Sequence, residues 1–407
     1  MSIAIRRLTA SDADESFDVD CAAFSEAASD ANRHQVTLTT DWGRMFGAFD
    51  GTQMCGVVGD YGISLTLPGQ QVVAAAGVTA VGVLPTHRRR GILTMLVERH
   101  LREIAERGEA VAVLTASEAT IYRRFGYGIA SLCHGIEIQC HRSAFSGSIR
   151  PDLPMRLLNR AEAIELAPAL FAAAIKTRPG EITRPDSWWP HIFGEVETWR
   201  GGGEQFVVAC EPQLGQSGGY AIYQVKRGDP PAPSVLTVRD LVAADSEVAA
   251  ALWRYLLDID LVDSVHAVVA VDDPLRHRFA DWRAVSVASE NDYLWARLID
   301  PISALSSRRY ATDDTFSVAV DDPFLPANSG TYRITGGPSG AEVTRTNESA
   351  DLAMGMTELS SLYLGGFRAS TLARSGRLVG RSPEILRNAD LFFGSPEGLA
   401  PHCSTQF

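Results

Sequence analysis

Cysteine is sparse in this 407-residue chain, and no two of its six cysteines form a Cys-x-x-Cys pair. That excludes the common zinc and dithiol motifs, implies no metal, and reads as reduced thiols in a cytoplasmic protein. Long apolar runs are also missing. The opening MSIAIRRLTASDADESFD has no apolar core of signal-peptide length, and nothing approaches the roughly 20 residues a membrane helix needs. No membrane association is expected, and the Asn-Glu-Ser at Asn347 has no meaning as a glycosylation site. Positive charge is in deficit: 37 Lys and Arg against 49 Asp and Glu give a net charge of −12. A nucleic-acid partner is thereby excluded, because a polyanion needs a basic face. The acidity suits a cationic substrate, and solubility alone also accounts for it.

What is present is an ordinary globular mixture, 45% apolar and 21% charged, over a length that calls for two or three domains. AIRRL reads as a strand, with Ser11 as the cap of an acidic helix start. MFGAFDG and QMCGVVGDYG read as two strands about an Asp-Gly turn. QQVVAAAGVTAVGVLP is long enough for one interior strand or two in succession. Apolar residues at Ile92, Leu93, Leu96, Val97, Leu101 and Ile104 then follow helical spacing up to Gly108. AVAVLTAS is a buried strand, and ATIYRRFGYG a short helix broken at glycine. The order is that of an α/β unit.

A boundary falls near Ser146. QFVVAC, GYAIYQV and VLTVRDLVA, the helix DSEVAAALWRYLLDID and the strand VHAVVAVDDP then repeat the order of the first unit. The last segment has short β-like runs and the helices MTELSSLYLGG and SPEILRNADLFFG.

The loop THRRRGI stands where an apolar strand hands over to the amphipathic helix. A helix start leaves four N–H groups without internal acceptors and adds roughly half a positive charge, so a phosphate fits there. Gly91 permits close backbone approach, and arginines offer fork-shaped donors. The loop carries neither the Walker nor the Rossmann glycine pattern. The corresponding loop of the second unit, Ala243-Ala244-Asp245-Ser246, has no arginine and no glycine, so a duplicated unit there has lost its anion site.

VTAVGVLPTHRRRGILTMLVERHL resembles motif A of the GNAT (GCN5-related N-acetyltransferase) superfamily, with Arg88, Gly91 and Leu93 in the positions of its pyrophosphate loop. Leu93 departs from the superfamily's small residue. THRRRG with two apolar residues, ASEATIYRRFGYG, SLYLGGFRASTLA and the terminal phenylalanine resemble more narrowly the enhanced intracellular survival (Eis) acetyltransferases of actinobacteria. The resemblance runs through nearly the whole chain. It implies an α/β protein of tandem GNAT folds, the second without a cofactor site, followed by an α+β sterol-carrier-like domain. The segments are then 1–146, 147–297 and 298–407, the last delivering the C-terminus.

Acetyl transfer to an amine needs a base, because amines of pKa about 8 to 10.4 are mostly protonated at neutral pH; it also needs a polarised carbonyl and an acid for the leaving thiolate. The resemblance assigns acetyl-CoA backbone contacts to Val81 and Val83 and pyrophosphate contacts to Arg88, Arg89, Arg90, Gly91 and Ile92. Ser117 either reaches the cofactor or caps the next helical turn. Tyr127, between two glycines, is the family's acid tyrosine, with Tyr122 as its competitor inside the helix pattern. The family's base is the terminal carboxylate, here that of Phe407; no His or Glu of the first unit stands in a motif that marks a base. Glu26 is either an acidic pocket residue or a surface glutamate, and Gln406 replaces an acidic residue that relatives carry.

The function implied is N-acetylation of small cationic amines, above all aminoglycosides, hence antibiotic resistance, by a homohexamer. A protein or peptide lysine acetyltransferase, or a CoA- or lipid-binding module without turnover, are the other readings.

Overall fold

The structure is a computed structural model and describes residues 3–147, 153–194, 205–210, 218–229 and 232–407. It falls into two compact units. One holds Met1–Ser131, Tyr293–Gly398 and Gln406–Phe407; the other holds Leu132–Asp292 and Leu399–Thr405.

In the first unit a seven-stranded sheet begins with β1 (Ile3–Arg7), β2 (Met45–Asp50), β3 (Gln53–Leu67), β4 (Gln71–Val83) and β5 (Val111–Thr115), paired in that order. The pairing is antiparallel except between β4 and β5. The strand Leu294–Leu298 comes next and Gly128–Ile129 closes the edge. The small apolar residues of β4 make one strand rather than two, broken by a bulge.

Helix α1 (Ala13–Phe24) crosses β3 and β4, followed by α2 (Asp30–Thr39). Its cap is Asp12 and not Ser11. A 3-10 turn, Ala10–Asp12, precedes the helix, and Thr9 and Asp12 form the capping box while the Ser11 hydroxyl meets that of Thr9. Helix α3 (Ile92–Glu106) buries Ile92, Leu96, Val97, Leu101 and Ile104 against the sheet, the face its spacing predicts. Gly108, at φ 75°, follows its end.

His100 on this helix is buried and bonded to a carboxylate. Its Nε2 lies 2.6 Å from Asp60, whose side chain is fully buried and also meets Arg44 and Arg107. Those two arginines also pair with Glu109, so every charge in the group is matched.

The same unit carries a five-stranded sheet in the order Gly340–Thr346, Gly330–Gly337, Asp314–Asp321, Leu352–Gly355, Leu378–Gly380. Arg308, fully buried, donates to the carbonyls of Leu362, Tyr363, Phe393 and Gly394, tying down the ends of the helices Met356–Leu362 and Pro383–Phe392.

The second unit is another seven-stranded sheet, ordered Val285–Asp292, Leu132–Gln139, Ser264–Ala270, Val235–Ala243, Gly219–Lys226, Gln205–Cys210, Met155–Leu158. The sheets therefore do not follow consecutive chain segments. Leu132–Gln139 precedes the sequence boundary at Ser146 yet pairs in the second sheet, and Leu294–Leu298 pairs in the first. The helix Ser246–Leu257 begins with the Asp245 carboxylate accepting from the N–H groups of Glu247 and Val248. An anion is thus already built into that helix start, which agrees with a duplicated unit that has lost its phosphate loop.

Candidate active site

The reactive region of the first unit is built by a strand that parts from its neighbour. β4 runs parallel to β5 only over Ala75–Gly77, opposite Val111–Val113. Beyond Gly77 it continues to Val83 paired on its other edge alone, to β3. Main-chain groups along the open edge are left for an extended ligand. The bulge lies in this stretch. Thr79 pairs with Gly59 and Gly82 with Val57, so Ala80 and Val81 are out of register, and Ala80 takes φ 50°. A left-handed alanine is strained backbone, held here by pairing on both sides. Val81 and Val83, the two residues expected to contact the cofactor, are half-buried on this segment.

At the end of β4 the chain turns through Pro85–His87 into the arginine loop. Arg89 at φ 63° and Gly91 at φ 77° are both left-handed. Alternating backbone of this kind turns successive N–H groups into one concavity, an anion nest. Gly91 is the N-cap of α3 and, among the described residues, no side chain caps that helix, so its first N–H groups open onto the loop. Arg88, Arg89 and Arg90 are exposed. Arg88 donates to the Ala23 carbonyl at 2.7 Å and Arg90 to Asp50 at 2.9 Å, which fixes the loop from both sides. Ile92 faces the core, leaving its main chain for the loop. These residues fit a pyrophosphate.

Phe407 is seated where β4 and β5 part. The Thr115 hydroxyl, at the end of β5, donates to the Phe407 main-chain oxygen at 3.3 Å. The Phe407 ring lies over Gly77: a Cβ on that glycine would stand 3.2 Å from ring Cε2. Phe407 is half-buried, while Gln406 before it is exposed.

Tyr127 is 2% exposed and Tyr122 6%, with ring centroids 5.9 Å apart in an edge-on contact. Burial pushes the Tyr127 phenol well above its ordinary range, opposed by the Arg297 guanidinium. Tyr122 is pushed up to about 12 by burial and by the charge of Asp20. The flanking glycines are required by packing. A Cβ on Gly126 would overlap the Arg297 guanidinium, and one on Gly128 would meet the Thr357 carbonyl at 2.0 Å. Ser117 is exposed just past β5 and does not cap the next turn, whose N-cap is Glu118. Glu26 is exposed in the loop after α1 rather than on the helix, beyond the left-handed Ser25.

Sequence reasoning missed four residues of this region: Gly77, Ala80, Thr115 and Asp20. Asp20 lies on α1 one turn after the buried Ser16 and Phe17, and that stripe position was the available signal. Its Oδ1 is shielded from solvent and has no hydrogen-bond partner among the described residues. Burial, and then the charge of Glu26, raise its pKa to about 6. The two walls of the parting strands, the seated Phe407 and the pairing of Thr115 were legible only in three dimensions.

A strand that splays beside a bulge and feeds an uncapped, arginine-rich helix start defines a protein of the GNAT acetyltransferase class. Family profiles agree: one described as an acetyltransferase (GNAT) domain matches residues 4–130, a second so described matches 180–298, and a sterol carrier protein domain matches 302–404. An uncharacterised N-acetyltransferase of Streptomyces avermitilis is 34% identical over 408 residues, 98% of each chain. The N-acetyltransferase Eis of Mycobacterium tuberculosis is 32% identical over 355 residues, 86% of this chain and 85% of that one. The crystal structure of Eis1 from Mycobacterium abscessus superposes with a TM-score of 0.88 at 35% identity, covering both chains completely. The chain belongs to the Eis family of GNAT N-acetyltransferases, enzymes that use acetyl-CoA.

Proposed function

We propose that the protein transfers acetyl from acetyl-CoA to an amine of a small cationic substrate, with aminoglycosides as the substrate class, at one or several positions. The seating of Phe407 at the parting of β4 and β5 is the observation that carries this reading. It puts the terminal residue beside the open edge that suits a thioester.

In the proposed reaction acetyl-CoA supplies an activated acyl carbon. Main-chain groups of Val81 and Val83 hold and polarise it, the loop Arg88–Ile92 holds the pyrophosphate, and Ser117 lies toward the cofactor. The Phe407 carboxylate, positioned by Thr115, takes a proton from the substrate ammonium; the freed nitrogen attacks the carbonyl carbon, and the second proton it sheds from the adduct goes to the departing sulfur. As the C–S bond breaks, Tyr127 donates a hydrogen bond to the departing thiolate. A phenol raised by burial stays protonated throughout the working range, as a donor must. Glu26 offers negative charge to the substrate, and the neutral Gln406 offers an amide where an acid would add another.

The test is thiol release from acetyl-CoA with an aminoglycoside panel, comparing the native chain with one extended by two glycines beyond Phe407. The expected result is turnover in the native chain and a loss of about 100-fold or more in the extended one, with acetyl-CoA binding unchanged. Equal turnover in both would remove the carboxylate from the mechanism.

A further inference from the structure

Asp20 stands apart among the acids of α1. Asp14 and Asp18 pair with Arg33, but no cation pairs with Asp20 among the described residues. An ionised carboxylate with a shielded, unpartnered oxygen is a costly arrangement unless something completes it.

Its place in the fold says what. Oδ1 lies 3.6 Å from where a Cβ on Gly82 would stand, and Ala23 on the same helix would touch that Cβ at 2.9 Å. Position 82 must therefore be glycine for α1 to lie this close. The carboxylate is set against β4 between the bulge at Ala80–Val81 and Val83, on the segment whose far edge is open. Its charge reaches Tyr61 and Tyr122, and Tyr122 is in edge contact with Tyr127. Glu26, also an acid, adds its charge to that of Asp20. The raised pKa, about 6, leaves Asp20 ionised at neutral pH and ready for a cation.

We propose that Asp20 is a substrate-binding carboxylate that receives an ammonium group of the amine acceptor beside the β4 bulge. This rests on the amine-acetylation reading above and adds to it the residue that selects a polycation. A carboxylate at Asp20 with a second acid beside it suits an acceptor with more than one ammonium group.

The test compares native protein with Asp20→Asn and Asp20→Glu, using tobramycin and acetyl-CoA, and measures kcat, both KM values and the melting temperature. Asparagine keeps the shape and removes the charge. Losing a charge-assisted contact should raise the tobramycin KM about 10-fold to 100-fold. The acetyl-CoA KM should hold within about twofold, and Asp20→Glu should recover part of the loss. The melting temperature of Asp20→Asn should not fall and should rise by about 2–4 °C, because an unpaired buried charge has gone. A structural role would move stability the other way. An unchanged tobramycin KM, or a lower melting temperature that accounts for the lost activity, would overturn the proposal. If native protein fails to acetylate tobramycin at all, the amine reading itself fails at that control and the role of Asp20 goes with it.

Discussion

At the scale of single residues, the site depends on glycines doing two different jobs. Gly126 and Gly128 make room for a guanidinium and a carbonyl, so packing alone requires them. Gly77 makes room for Phe407, whose ring would be met by any side chain there. Gly77→Val should therefore expel the terminal ring while leaving the arginine loop intact. The expected result is a fall in kcat of about 100-fold or more with the acetyl-CoA KM unchanged, read from steady-state kinetics. A sequence pattern shows all three glycines alike. Tyr127 of FGYG is buried, and the glycines on either side of it are required by packing. Only the positions of Arg297 and Thr357 show why those residues have no side chain.

At the scale of elements, two helix starts that look equivalent in chain order have opposite electrostatics. Helix α3 has no side-chain cap and follows two left-handed residues, whereas the helix Ser246–Leu257 is closed by Asp245. The difference was readable beforehand, since arginine and glycine against aspartate is a local signal. Gly91→Ala tests the open one. Among the described residues nothing lies within 4 Å of a Cβ there, so space is not the constraint; φ 77° is. A left-handed alanine costs about 1–2 kcal/mol, which should raise the acetyl-CoA KM by roughly 5-fold to 30-fold. The amine KM, measured alongside, should not change. Strand length was less legible. β4 carries its bulge at Ala80–Val81 because its register with β3 slips there, and no residue in AGVTAVGV announces that slip.

At the scale of the whole molecule, the last nine residues divide between the units: Leu399–Thr405 belong with the second and Gln406–Phe407 with the first. Within the second unit the tail is held by buried polar groups. Arg184 donates to the Thr405 hydroxyl at 2.8 Å and pairs with Asp240, while Glu181 accepts from the main chain and hydroxyl of Ser404. Burial raises Glu181 from an ordinary 4.5 to about 7. A carboxyl raised on folding holds more protons in the native state than in the unfolded state between those two values. Its contribution therefore falls as pH rises from 4.5 to about 7 and is fully lost above. Glu181→Gln should match native stability near pH 4. It should exceed it by on the order of 3 kcal/mol above pH 7, checked by denaturant unfolding across the range.

The sequence by itself determined the things that local chemistry controls. Helical spacing in Ile92–Glu106, the open arginine loop, the closed second loop and the α/β order are each written in contiguous residues. So is membership of the family, since the motifs that carry it are short and ordered along the chain. Tertiary structure alone decided which strand joined which sheet. Leu132–Gln139 and Leu294–Leu298 pair with partners far away in the chain, and strand pairing is chosen by packing over long sequence separations rather than by propensity. It also decided that Asp20 Oδ1 is shielded and, among the described residues, unpartnered, because burial is the sum of neighbours brought from α1, β4 and beyond. Phe407 follows the same logic. The residue is present in the sequence, but its seat between Gly77 and Thr115 exists only once β4 and β5 have parted.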